Sequence, residues 1–259
     1  MISSDVASIP GWYGKLPTLG DFASRRLEGD FIEPWDVWLG ECLQSQRESM
    51  GDAWLDAYLQ SPPWRFVLMP GVLRGFDSRS ALAGVLMPSV DRVGRYFPLT
   101  IAASTPLPCR AADYEALLTW LHRIEDTALD ALQDDWSIDD LEDALTELAP
   151  PRFRTEPTLD HLAPVRAALA EAVAGEGSFV EIDGVASRTE LAAVFAGALA
   201  VGRADDPEAL PRSGAGIAIW LADTPEHPQL LVSRGLPASA DFIRMFGTAG
   251  REPRVDTMY

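Results

Sequence analysis

Lysine, histidine and cysteine are scarce in this chain of 259 residues. It has three histidines, two cysteines and one lysine, Lys15, so that nearly all of its basic residues are arginine. The cysteines, Cys42 and Cys109, do not form a CxxC pair or another metal-ligand spacing, and the histidines lie far apart in the sequence. We therefore expect no metal site, no cofactor and no disulfide framework, which fits a reducing compartment.

Long apolar runs are lacking as well. The longest uncharged apolar stretch, residues 191–202, has twelve residues, whereas a membrane-spanning helix needs about 20. The N-terminal sequence MISSDVASIP has neither the positive region nor the apolar core of a signal peptide. We therefore expect a cytoplasmic protein that does not insert into membranes.

Basic residues are outnumbered, and the acidic excess is uneven. The formal net charge is -18; residues 1–110 hold 10 basic and 12 acidic residues, whereas residues 111–259 hold 11 and 27. Such a chain repels nucleic acid, so no nucleic-acid partner is expected. Residues 125–147 contain ten acidic residues and no basic one, with apolar residues interleaved. This segment is either the solvated face of amphipathic helices or a docking face for a basic partner.

The chain does contain alternating strand and helix patterns. They predict strands at 11–16, 64–69, 81–87, 96–104, 179–182, 215–222 and 229–233, and helices at 31–49, 53–59, 111–132, 137–148, 159–173, 188–201 and 238–246. Asp30 and Asp52 are the expected N-caps of the first two helices, and Ser137 with Asp140 has the spacing of a capping box. The pattern indicates an α/β fold with a mixed, largely antiparallel sheet flanked by helices.

The predicted organisation has two parts. Residues 1–10 and 251–259 are expected to be flexible tails, residues 11–150 an N-terminal α/β part, and residues 151–250 a C-terminal α/β part that begins after Pro150 and Pro151. Because two strands are too few for a stable sheet, the C-terminal strands are expected to extend the N-terminal sheet into one body.

The most distinctive segment is residues 82–100, LAGVLMPSVDRVGRYFPLT. Two prolines and a glycine interrupt its apolar run, which predicts strand, shaped turn and strand. Asp91 could act as a base and Arg92 or Arg95 could bind a small anion, but Ser89 has no visible base and no histidine is near. We favour a structural network in which the aspartate and the arginines lock the turn, and this network is compatible with an interaction surface.

A second segment, residues 11–22, reads GWYGKLPTLGDF. Its Gly14-Lys15 pair lacks the preceding glycine loop and the following Ser or Thr of a phosphate-binding loop. Lys15 is expected either to reach solvent or an acidic neighbour, or to form a recognition surface with Asp21 around the turn. Trp35 and Trp38 share one side of a predicted helix, where they serve the core or, if partly exposed, a protein-binding groove.

These segments resemble the TagF family, accessory proteins of bacterial type VI secretion. The resemblance rests on GKLP…GDF, on GVLMPSVDRVGRYFPLT, on the paired tryptophans of FIEPWDVWLGECL, and on a C-terminal piece with IAIW and GLP. It covers most of residues 11–246. It implies a first part similar to longin-like domains, and it marks as interaction candidates Gly14, Lys15, Pro17, Gly20, Asp21, Phe22, Trp35, Trp38, Pro88, Ser89, Asp91, Arg92, Gly94, Arg95 and Pro98.

The resemblance also implies a function. TagF-like proteins are non-enzymatic, post-translational repressors of type VI secretion, and the implied partner is the forkhead-associated scaffold protein of the secretion apparatus. On this hypothesis the chain has no catalytic residue and no small-molecule substrate. Two alternatives stay open: an adaptor that promotes assembly of the apparatus, and an enzyme that acts on a small anionic ligand through Asp91, Arg92 and Arg95.

Overall fold

The structure is a computed structural model. It describes residues 9–73, 80–106, 111–152, 178–181, 216–223 and 228–247. The helices predicted at 159–173 and 188–201, Cys109 and most of both predicted tails lie outside the described residues.

Eight strands and five α-helices occur in the described part. The strands are β1 (Gly11–Gly14), β2 (Ala23–Arg25), β3 (Trp64–Leu68), β4 (Ala81–Met87), β5 (Leu99–Thr105), β6 (Ser178–Glu181), β7 (Ile217–Asp223) and β8 (Pro228–Arg234). The helices are α1 (Gly29–Met50), α2 (Trp54–Gln60), α3 (Ala111–Gln133), α4 (Ile138–Thr146) and α5 (Ser239–Met245). Among the helices described, none is both long and apolar enough to cross a membrane.

The strands form one sheet in the order β2-β1-β5-β4-β3-β7-β8-β6. Each pairing of neighbouring strands is antiparallel. The α/β fold with a largely antiparallel sheet is thereby confirmed. Strand β7 lies beside β3, with Trp220 opposite Phe66, so strands from the C-terminal part continue the sheet that the N-terminal part begins.

The two faces of the sheet carry different side chains. Successive residues of a strand point to opposite faces; Trp64, Phe66 and Leu68 of β3 therefore face α1, α2 and α5, in a core rich in aromatic rings. Val67 faces the other way, toward an aliphatic core completed by α3 and α4. Since helices cover both faces, the central strands β3 and β4 are buried along their whole length.

Several boundaries differ from the predictions. Helix α1 begins at Gly29 rather than after Asp30, because the backbone N–H groups of Phe31 and Ile32 donate to the Glu28 carbonyl. Asp52 lies inside a short 3-10 turn, Gly51–Ala53, instead of capping α2. The short strand β2 was not predicted. The prediction that Gly51 ends α1 is confirmed, with φ 53° at that residue.

The predicted capping box of α4 is confirmed. The backbone N–H of Asp140 donates to Ser137 Oγ at 3.2 Å, and the backbone N–H of Ser137 donates to Asp140 Oδ2 at 3.0 Å. Both hydrogen bonds use donors that a helix start would otherwise leave unpaired.

Candidate interaction site at the paired motif loops

The two distinctive segments meet in space. The loop of residues 15–22 follows β1, and the loop of residues 88–98 joins β4 to β5. Ser89 Oγ donates to the Lys15 carbonyl at 2.7 Å, and the Arg92 backbone N–H donates to the Leu19 carbonyl at 2.9 Å. Arg95 Nη2 also donates to the Gly20 carbonyl. The two loops are therefore joined by backbone and side-chain hydrogen bonds.

The Asp91 carboxylate lies at the centre of this junction and is buried. Lys15 Nζ approaches Oδ2 at 2.6 Å, and Arg95 Nε approaches the same oxygen at 2.7 Å. The backbone N–H groups of Val93 and Arg95 donate to Oδ1 at 3.0 and 2.9 Å. We call Lys15, Asp91 and Arg95 the Asp91 cluster.

These four donors decide the protonation state of Asp91. Burial alone would raise the pKa of Asp91, but the hydrogen bonds from Lys15, Arg95 and Val93 hold that pKa well below its usual range. Each donor interacts best with the charged carboxylate, and together they outweigh its loss of hydration. The carboxylate is thus ionised and its oxygens are occupied, which leaves it poorly suited to accept a substrate proton.

The turn around Asp91 has a fixed backbone. The N–H of Asp91 donates to the Arg95 carbonyl, and the N–H of Gly94 donates to the Asp91 carbonyl, both at 3.0 Å. Gly94 has φ 80°, a left-handed conformation that costs a residue with a side chain about 1–2 kcal/mol. A Cβ atom on Gly94 would meet no atom within 4 Å, so the turn requires glycine for its φ angle and not for space.

Gly14 is required because the backbone of the second segment passes close to it. A Cβ atom there would lie 2.2 Å from the Pro98 carbonyl oxygen, and Gly14 has φ 136°. The first segment therefore needs glycine where it passes the second. Pro88 and Pro17 are half-buried, and Pro98 is buried.

Helix α2 contacts the junction of the two loops through Tyr58. The Tyr58 hydroxyl donates to the Ser89 carbonyl at 3.0 Å and accepts from the Ser89 backbone N–H at 2.9 Å. Burial raises the pKa of Tyr58, which keeps the hydroxyl protonated and able to donate. Ser89 is therefore held by Tyr58 and Lys15 and has no general base among these contacts.

An aromatic group covers the ammonium of Lys15. The ring of Phe22 stacks on Tyr13 at 5.9 Å and meets Phe97 edge-on at 4.8 Å between ring centroids. Lys15 Nζ lies 4.5 Å from the centroid of Phe22, within reach of a cation–π contact. The Tyr13 hydroxyl donates to the Asp36 carboxylate, which ties this group to α1.

Part of the junction faces solvent. Phe22 is 44% exposed and Val93 is 65% exposed. Arg92 and Arg95 are exposed beside them, as are Gly20 and Asp21. We call Phe22, Arg92, Val93 and Arg95 the motif patch. Arg92 joins the two loops through its backbone, and its side chain belongs to this surface instead of to the buried network.

The two tryptophans of α1 lie elsewhere. Trp35 is fully buried, and Trp38 nearly so. Trp35 Nε1 donates to Thr100 Oγ1 at 2.9 Å, and Trp38 Nε1 donates to the Pro237 carbonyl at 2.8 Å. They join α1 to β5 and to the loop before α5, within the aromatic core.

A second buried charge cluster was not predicted from the sequence. Arg65 of β3 is fully buried on the aliphatic face. Its Nε lies 3.3 Å from Glu125 Oε2, its Nη2 lies 2.8 Å from Asp223 Oδ2, and its Nη1 contacts the His122 ring. We call these four residues the Arg65 cluster. Two sequence features could have indicated it: an arginine inside the apolar run WRFVL, and His122 with Glu125 at i, i+3 on a helix.

The Arg65 cluster is less completely bonded than the Asp91 cluster. Arg65 Nε and Nη2 and Glu125 Oε2 are buried in ion pairs that lack hydrogen-bond geometry to any described residue. Burial raises the pKa of Glu125, Arg65 opposes this shift, and Asp223 and Asp126 add to it. Across the described ranges, no group of three or more His, Cys, Asp or Glu residues could hold a metal ion.

Comparison with known proteins agrees with this architecture. The family model described as TagF N-terminal domain, Type VI secretion system-associated, matches residues 11–148. The crystal structure of PA0076 from Pseudomonas aeruginosa PAO1 matches with a TM-score of 0.60 and 32% sequence identity, over 94% of this chain and 96% of that chain. No curated protein sequence matches the chain.

The sheet, its paired motif loops and these matches define a protein associated with bacterial type VI secretion. The chain belongs to the TagF family. Both distinctive segments, residues 11–22 and 82–100, fall inside the range that the family model matches.

Proposed function

We propose that the protein is a non-enzymatic, post-translational repressor of type VI secretion that acts by binding the forkhead-associated scaffold protein of the apparatus. It works in the cytoplasm, without a cofactor, a small-molecule substrate, a nucleic-acid partner or insertion into a membrane. Holding the scaffold would keep the apparatus from assembling until a signal releases it.

One observation carries the proposal. The charged motif residues Lys15, Asp91 and Arg95 are used to join two loops, and the same loops present an exposed phenylalanine, valine and arginine. Arginine and aromatic side chains are enriched at binding hot spots. This arrangement suits a protein-binding surface better than a catalytic centre, since the carboxylate has its oxygens occupied by four donors.

Binding is tested with purified proteins. The forkhead-associated scaffold from the same secretion locus is captured on a surface, and the chain is the analyte at two ionic strengths. The proposal expects saturable binding at micromolar or lower concentration without a phosphopeptide. If the acidic residues of α3 and α4 steer the encounter, the association rate falls as salt rises. Absence of binding between two folded proteins contradicts the proposal.

Secretion assays separate repression from assembly. Overproducing the chain in cells with an active apparatus is expected to lower type VI-dependent secretion, and deleting it is expected to raise secretion. The opposite pair of results would identify an adaptor that promotes assembly.

The enzymatic alternative has its own test. The pure protein is screened for phosphatase, esterase and nucleotidase activity, and we expect no turnover. Turnover that Asp91→Asn abolishes, while the variant stays folded, would contradict a purely binding function.

A further inference from the structure

Exposed apolar side chains are not spread evenly over the described residues. Four large ones are exposed: Phe22, Val37, Leu59 and Val93. Val37 and Leu59 lie on different helices, α1 and α2. Phe22 and Val93 belong to the two loops that contact each other through Arg92 N–H and the Leu19 carbonyl at 2.9 Å. The motif patch therefore combines two exposed apolar groups on adjoining loops.

The patch is held rigidly from inside. The Val93 backbone N–H is bonded to the buried Asp91 carboxylate, and the ring of Phe22 lies over Lys15, which pairs with the other oxygen of that carboxylate. Both exposed apolar residues are thus fixed to one buried group. A surface that is ordered before binding loses little conformational entropy when a partner docks.

The local charge of the patch is opposite to that of the whole chain. Arg92 and Arg95 are exposed at the patch, and Arg92 Nη2 would lie 3.7 Å from a Cβ atom on Gly20. Two acidic residues belong to these loops: Asp91 is buried and paired, and Asp21 accepts the Phe22 backbone N–H. The remainder of the molecule carries the large acidic excess that gives a net charge of -18.

We infer that the motif patch docks an acidic segment of the partner protein, one that also presents an apolar side chain to Phe22 and Val93. This inference deepens the proposed function and rests on it. Charge complementarity favours an acidic segment, because Arg92 and Arg95 are cations exposed at the patch, whereas the acidic excess of the remaining chain repels such a segment. The same repulsion disfavours an anionic membrane surface, which would meet the whole molecule.

The experiment uses the full chain and the captured forkhead-associated scaffold. The patch variants are Val93→Asp and Arg92→Glu, and the matched controls are Val37→Asp and Leu59→Asp, which place the same charge at other exposed apolar positions. All four positions are exposed, so melting temperatures close to that of the wild type are expected. The patch variants should weaken binding by about 10-fold or more, as hot-spot substitutions do, and the controls should bind like the wild type.

The outcomes separate the two proposals. If the wild-type chain does not bind the scaffold, the proposed function fails, and the inference fails with it. If the wild type binds and both patch variants bind equally well, only the inference fails. If Arg92→Glu strengthens binding, the docked segment is basic and the inference is wrong. Binding of wild type to phosphatidylglycerol vesicles, lost in Val93→Asp, would assign the patch to a lipid surface and also overturn it.

Salt dependence tests the charge argument directly. The difference in association rate between the wild type and Arg92→Glu should shrink as ionic strength rises from roughly 0.05 to 0.5 M, because screening removes the contribution of Arg92. A difference that is independent of salt would show that Arg92 acts by shape and not by charge, which would contradict the acidic segment.

Discussion

The Asp91 cluster and the Arg65 cluster each bury a cation beside a carboxylate, yet they are bonded differently. In the Asp91 cluster two cations and two backbone N–H groups converge on one carboxylate. In the Arg65 cluster one guanidinium lies between two carboxylates and a histidine, and buried atoms of Arg65 and Glu125 lack a hydrogen bond of good geometry. The comparison shows that burial alone does not set the state of a carboxylate, since the pKa of Asp91 falls and that of Glu125 rises.

The two clusters also differ in what they hold together. The Asp91 cluster joins the loops of residues 15–22 and 88–98 and supports an exposed surface. The Arg65 cluster joins β3 to α3 and to the end of β7 within the aliphatic core. We therefore assign the Asp91 cluster to the shape of the candidate interaction site and the Arg65 cluster to the packing of the body.

Removing Arg65 is expected to have the largest effect. Arg65→Met leaves Glu125 largely buried without its counter-charge, which should lower the free energy of unfolding by about 3–5 kcal/mol. The double variant Arg65→Met with Glu125→Leu should recover most of that loss, because an apolar pair can replace a buried ion pair. Chemical denaturation measures both. A double variant as unstable as the single one would contradict this account of the cluster.

The pH dependence of stability should have opposite signs at the two carboxylates. The lowered pKa of Asp91 gives stability that is present above the ordinary Asp pKa and is lost as pH falls. The raised pKa of Glu125 gives stability that is present below its ordinary value of 4.5 and is lost as pH rises through its folded value. Unfolding free energies measured from acidic to neutral pH test this pair.

The variants separate the two contributions. Relative to wild type, Asp91→Asn should remove part of the destabilisation seen on acidification, and Glu125→Gln should remove part of the destabilisation seen as pH rises. If both variants changed the pH dependence of the unfolding free energy in the same direction, the pKa values of Asp91 and Glu125 would not be shifted in opposite directions.

Gly94→Ala, in the turn of the Asp91 cluster, should lower the stability of the protein by an intermediate amount. Its left-handed φ of 80° is unfavourable for alanine, and the expected loss of stability is about 1–2 kcal/mol. Gly51→Ala, at φ 53° and ψ -127° and also with open space around its Cβ position, is a control for backbone strain at a glycine outside the motif loops. Scaffold binding should weaken for Gly94→Ala and stay unchanged for Gly51→Ala; equal effects on binding would separate the turn from the interaction site.

Arg95→Ala should have the smallest effect on stability of these changes. The Arg95 side chain is 53% exposed, so solvent screens its ion pair, and Lys15 and two backbone donors still bond Asp91. A modest fall in melting temperature, smaller than that of Arg65→Met, is expected by calorimetry. A fall as large as that of Arg65→Met would mean that the Asp91 cluster depends on Arg95 rather than on its backbone donors.

Sequence reasoning predicted the fold class and most strands, because apolar alternation and turn residues are local. It anticipated that Asp91 and the arginines lock the turn; the Arg95 side chain does so, whereas the Arg92 side chain is exposed. It left the partner of Lys15 open, because Lys15 and Asp91 are 76 positions apart in the sequence. Arg65 was missed for the same reason: its carboxylate partners are on α3 and β7. Strand β2 was missed because a strand of three residues is too short to show an alternating pattern. Asp30 was wrongly predicted as the N-cap of α1, because the helix start is set by hydrogen bonds to the Glu28 carbonyl.

Amide hydrogen exchange at Val93 and Arg95 tests most directly whether the buried Asp91 carboxylate holds the exposed loop in place. Both N–H groups belong to exposed residues but donate to that carboxylate, whereas the Phe22 N–H donates to the exposed Asp21. The account predicts slow exchange at Val93 and Arg95, fast exchange at Phe22, and faster exchange at the first two in folded Asp91→Asn. Exchange at Val93 and Arg95 as fast as at Phe22 would contradict it.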